Sequence, residues 1–174
     1  MKFQRYLTEE INIIDKSLKI VRDMILSSKL TPKKLTPDVA KYLRQTVTEK
    51  KYKLYRGIGI IKNRVAKQNI EILNNLQVED KIPEFLSRQV STISSYTKKK
   101  IIARRYSEGT IEIVVQAEIP SNKVLVDLEN LEKLLKGSKQ KILDSDDFKY
   151  FKTDKEVFVK EPIVAKIISI KGKI

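Results

Sequence analysis

The chain contains no cysteine and no histidine. Disulfides, thiolate nucleophiles, Cys/His zinc sites and every triad built on an imidazole base are thereby excluded, and no metal site is expected. Any catalysis has to run on carboxylates, hydroxyls, lysine or arginine. No run approaches the roughly 18 consecutive apolar residues that a membrane-spanning helix needs. The opening MKFQRYLTEE reaches charge before any apolar run of signal-peptide length, so neither a secretory signal nor a membrane partner is expected. There is no internal repeat and no low-complexity tract.

What is present describes a folded domain. At 174 residues the chain suits one domain, 1–174, and can bury about two thirds of its unfolded surface without a disulfide or metal staple. Hydrophobic residues make up 41% and charged residues 33%, the balance of a globular protein with a wet surface. The formal charge of +14 favours an acidic partner such as nucleic acid, a ribosome or a polymerase surface. A lysine-rich but merely solvated surface has the same composition.

Periodicity divides the chain into a helical part, 1–48, and a mostly β core, 50–170. Leu7, Ile11, Ile14, Leu18, Val21 and Ile25 mark one face of an amphipathic helix, with Thr8 as its expected N-cap and Glu9 and Glu10 in its first turn. Thr36-Pro37-Asp38 reads as an N-cap, an N1 proline and a first-turn acid, predicting a short helix to about Thr46. Tyr52–Tyr55 reads as a short strand ended by Gly57 and Gly59, residues 65–76 as a helix, and residues 89–94 as a strand. Thr97 is expected to cap a basic helix running to Tyr106. Beyond it the period changes to two. Strands are expected at 111–115, 124–126, 157–159 and 163–170, with a helix at 128–135 and a polar loop at 144–153. Helices first and strands later point to the α+β class.

Three short segments carry the chemistry: LYRGIG (54–59), SSYTKKKIIARRY (94–106) and TDKEVFV (153–159). Arg56 offers a planar, permanently charged fork matched to phosphate oxygens. Gly57 allows the backbone to come close to a planar group. Asp154 and Glu156, two apart at the start of a predicted strand, would lie on one side of it. Alone, each segment also reads as ordinary structure: a strand ending in a surface arginine, a Ser/Thr turn capping a helix, a solvated strand edge.

In this order the segments resemble the Arg-Ser-Glu class of ADP-ribosyltransferases, which includes the clostridial-type toxins and the Mod-type enzymes of T-even-like bacteriophages. The resemblance spans about residues 50–170. It implies the ADP-ribosyltransferase fold, two small packed β-sheets preceded by helices, and the use of NAD as substrate. Ser95-Tyr96-Thr97 takes the place of the family's Ser-Thr-Ser motif. Ala103 and Tyr106 stand at the family's spacing from Thr97, which favours this register over Ser91-Thr92-Ile93. The resemblance implies that Arg56, Gly57, Ser95, Tyr96 and Thr97 bind NAD and that Ser95 orients Glu156. Glu156 is the expected catalytic carboxylate, because cleavage of the glycosidic bond develops positive charge on the ribose.

Asp154 stands where the family has Glu or Gln. Its charge suits a guanidinium, so arginine is the expected acceptor. The absence of histidine excludes the His-Tyr-Glu class in its usual form. Phe148, Tyr150 and Phe151 fall in the loop that recognises targets in the family, or complete the core. Lys98, Lys99, Lys100, Arg104 and Arg105 could meet cofactor phosphates or an RNA-bearing target, or form a solvated face. Size and basicity favour the phage branch. That implies action in the cytoplasm of a bacterial host on a protein of transcription or translation, such as RNA polymerase or a ribosomal protein. The alternative is a non-catalytic, basic nucleic-acid-binding module.

Overall fold

The computed structural model describes residues 2–26, 35–86, 93–135 and 154–173. Two helices, α1 (Lys2–Leu26) and α2 (Pro37–Arg44), lead into strand β1 (Lys51–Ile60) and helix α3 (Lys67–Asn75). Strand β2 (Ile93–Thr97), helix α4 (Lys100–Arg105), strands β3 (Ile111–Pro120) and β4 (Val124–Asp127), and helix α5 (Leu128–Leu135) follow. Strands β5 (Glu156–Lys160) and β6 (Lys166–Lys171) end the fold. The architecture is α+β.

The strands do not make two packed sheets, as the resemblance implies. They form one antiparallel six-stranded sheet in the order β4-β5-β2-β1-β3-β6. The reason is the junction at Tyr55, which pairs with Thr97 and joins two three-stranded halves edge to edge. On its other side β1 pairs with β3 along its whole length, from Lys51 opposite Pro120 to Ile60 opposite Ile111.

Alternation along the strands sorts the residues onto two faces. Tyr52, Leu54, Ile113, Val115, Ala117, Val157 and Val159 belong to one core, against which Val65, Leu76, Ile82 and Ile163 pack. The opposite face of β4, β5 and β2 carries Val126, Phe158 and Ile93. These join Leu18, Val21 and Met24 of α1, Val39 and Leu43 of α2, and Leu128, Leu131 and Leu135 of α5 in a second core. Of the apolar stripe predicted for α1, Leu18 and Val21 are thus buried, and Ile14 and Ile25 partly so. Its helix begins at Lys2, so Thr8 lies inside it rather than at its N-cap. The side chains of Leu7, Thr8 and Ile11 lie outside the described residues. The Thr36 side chain caps α2 by accepting from the Val39 N–H, with Pro37 in the first turn.

β1 does not stop at its glycines but runs through both for ten residues. The cause is α4, which crosses that face of β1 so closely that a Cβ on Gly57 would stand 2.0 Å from the Ala103 carbonyl oxygen. On Gly59 it would stand 2.1 Å from the carbonyl oxygen of Glu108. Glycine here makes room for a helix rather than a turn. Of the strand expected at 89–94, residues 89–92 lie outside the described residues, and 93 and 94 open β2, which runs on to Thr97. The loop carrying Phe148, Tyr150 and Phe151 lies outside them as well.

Candidate active site

The cavity at the β1–β2 junction has a volume of about 230 Å³. Arg56 and Gly57 of β1, Ser95, Tyr96 and Thr97 of β2, and Glu156 of β5 all border it. Ala103 and Tyr106, which the resemblance picked out by their spacing from Thr97, complete its wall with Tyr55. Residues about 100 positions apart therefore meet because β2 lies between β1 and β5. A larger cavity of about 370 Å³, lined by Ile58, Ile60, Arg64, Asn69 and Phe85 among others, has no carboxylate among its described lining residues. The smaller one has the means for chemistry.

Glu156 is its centre. It opens β5 opposite Thr97 and is 8% exposed. Burial pushes its carboxyl up to about 7. A hydrogen bond from the Ser95 hydroxyl opposes that rise, and the neighbouring Asp154 charge adds to it. The group therefore changes charge near neutrality, a property that clusters at functional sites.

Asp154 reaches the same region by another route than strand alternation. β5 begins only at Glu156, and Lys155 turns the chain with φ at 49°, the left-handed region that few non-glycine residues enter. Three contacts hold that turn. The Thr97 hydroxyl donates to the Asp154 carbonyl at 2.5 Å, the Lys98 N–H to the Lys155 carbonyl at 3.3 Å, and the Lys155 ammonium to Glu129 at 2.7 Å. The Asp154 carboxylate accepts a hydrogen bond from the Tyr106 hydroxyl. Thr97 does not cap α4 as expected. The N-cap position is Lys99, and Thr97 accepts from the Lys99 N–H at 3.1 Å while its own proton goes to Asp154.

Arg56 shares a sheet face with Leu54 and Ile58, the face of the first core, and lies opposite Val115. Its guanidinium lies 3.6 Å from the Glu161 carboxylate, donates to the Ser94 hydroxyl at 3.4 Å, and sits 5.7 Å from the centre of the Tyr96 ring. Glu161 is 3% exposed, and its other carboxylate oxygen accepts from the Ile163 N–H at 2.7 Å. Burial, then the Glu161 charge, pushes the Tyr96 phenol up to about 12, so it stays neutral. Sequence reasoning missed Glu161. Its signal was a carboxylate in step with Val157 and Val159, on the face where Arg56 is in step with Leu54 and Ile58.

Of the basic cluster, Lys98 is drawn inward. Its ammonium meets Asp127 at 2.6 Å and Glu129 at 3.3 Å, and these bonds hold its proton on against the cost of burial. Lys99, Lys100, Arg104 and Arg105 are exposed. Among the described residues no group of acidic, histidine or cysteine side chains could hold a metal ion, and no helix is long and apolar enough to cross a membrane. Comparison with protein families, with curated proteins and with solved structures finds no match to this chain.

Proposed function

We propose that the chain is a mono-ADP-ribosyltransferase that cleaves NAD at its nicotinamide ribose and transfers ADP-ribose to a protein side chain, with arginine the acceptor of choice. The observation that carries the reading is convergence. Three segments that each read as ordinary structure meet at one cavity around a buried carboxylate held by Ser95. At about 230 Å³ the cavity is smaller than the roughly 300–1,000 Å³ of sites that enclose a drug-sized ligand. It suits one end of a dinucleotide.

In this reading ionised Glu156 accepts a hydrogen bond from the ribose 2′-hydroxyl and stabilises the positive charge that develops as the glycosidic bond lengthens. Ser95 fixes the orientation of that carboxylate. Arg56, tied to Glu161 and resting on Tyr96, braces β1 against β2 from the sheet face opposite Glu156. The Asp154 carboxylate, one hydrogen bond behind the Tyr106 hydroxyl, favours a guanidinium as acceptor. The net charge of +14 suits a target within a nucleic-acid assembly, such as host RNA polymerase or a ribosome.

The test is incubation of the purified protein with labelled NAD and bacterial lysate, followed by mass spectrometry that preserves the ADP-ribose linkage. Label on arginine of a discrete protein is the expected result. Label on asparagine or serine would overturn the acceptor. Tight nucleic-acid binding with NAD left intact would instead make the chain a basic nucleic-acid-binding module.

A further inference from the structure

Asp154 carries the argument for the acceptor, yet it is 8% exposed and is not among the described residues that wall the cavity. What stands on the wall is Tyr106, 55% exposed, whose hydroxyl donates its proton to the Asp154 carboxylate. A phenol that donates once still has lone pairs with which to accept. Burial and the Asp154 bond both push the phenol up, so Tyr106 enters any reaction protonated.

We propose that Tyr106 is a further catalytic residue, which receives the acceptor's proton at its hydroxyl oxygen and passes its own proton to Asp154. The inference rests on the transferase reading and says how its acceptor is activated. The step balances. The bond between ribose C1′ and the nicotinamide nitrogen breaks, and its electron pair leaves with nicotinamide. The acceptor's N–H nitrogen forms the new bond to C1′ as its proton moves to Tyr106, while the Tyr106 proton moves to the Asp154 carboxylate. No oxidant or reductant is needed. Tyr106 also sets the geometry of selection, because a guanidinium that meets a single phenol oxygen is read by one hydrogen bond rather than by a carboxylate fork.

The experiment compares Tyr106→Phe, Asp154→Asn and the double variant in the full chain. NAD and agmatine are the substrates, and both nicotinamide release and ADP-ribosyl-agmatine are measured. The readout is the share of cleaved NAD that ends on agmatine, which general damage to the fold would not change selectively. In a relay each single variant lowers that share by about a hundredfold, the scale of one lost proton-transfer group. The double variant then falls no further, because both residues act as one unit. A wild-type share in Tyr106→Phe beside a collapsed share in Asp154→Asn would show Asp154 meeting the acceptor directly, and would overturn the relay alone. Multiplying losses in the double variant would overturn it too. Absence of nicotinamide release from the wild type would remove the transferase reading itself, and the relay with it.

Discussion

β1 is held differently along its two edges. Toward β3 the register is continuous, with Tyr52, Leu54 and Ile58 opposite Ile119, Ala117 and Ile113. Toward β2 the pair among the described residues is Tyr55 with Thr97, and polar groups gather around it: Ser94, Ser95, Arg56 and Glu156. The first edge is an apolar ladder whose burial stabilises the fold. The second leaves a gap between strands, and burial drives the carboxylate there up to about 7, with no cation among the described residues to offset desolvation. One strand thus borders an apolar core on one side and a cavity with a buried carboxylate on the other.

The strongest way to break this division is through Gly57, where the close approach of α4 closes the cavity wall. In Gly57→Ala the new methyl meets backbone, 2.0 Å from the Ala103 carbonyl oxygen and 2.8 Å from the Ser107 nitrogen, and backbone cannot rotate away. The expected loss is about 3 kcal/mol, at the upper end for overpacking. Ile58→Val, one residue on and facing the core, should cost about 1 kcal/mol. Urea denaturation of the two variants measures the contrast. Equal losses would mean that α4 is not seated against the strand.

A smaller effect sharpens the same comparison through pH. The folded-state value of about 7 for Glu156 lies above its ordinary 4.5. The folded protein therefore holds this proton more tightly than the unfolded chain. The stability linked to it is fully present below about 4.5, declines as pH rises, and is gone above about 7. Glu156→Gln carries no such charge. It should match the wild type in stability near pH 4.5 and exceed it by on the order of 2 kcal/mol at pH 8. Denaturation midpoints measured across that range check the sign. A variant less stable than the wild type at pH 8 would place an ionised, well-satisfied carboxylate at this position.

The candidate site residues were legible through the resemblance, whose motifs are local: Arg56-Gly57, Ser95 through Thr97, and Ala103 and Tyr106 in and at the end of one short helix. Helix α2 was equally open, since Thr36-Pro37-Asp38 writes its own start. Long-range relations were hidden. Gly57 and Gly59 look like a strand's end until the helix lying on them is seen. A pattern of alternation cannot say that Tyr55 pairs with Thr97 and fuses two small sheets into one. Nor does spacing reveal that a left-handed Lys155, held through Thr97, Lys98 and Glu129, brings Asp154 beside Glu156.

The central claim is that the Glu156 cavity cleaves NAD. Its most direct test is the rate of nicotinamide release from NAD by wild type and Glu156→Gln between pH 5.5 and about 8.5. The rate for the wild type is expected to rise as Glu156 ionises, through a midpoint close to its value of about 7, and then to level off. At the plateau the variant should be slower by roughly two to three orders of magnitude, the scale of one preorganised electrostatic group. Release at the same rate by both proteins, or none by either, would contradict the claim.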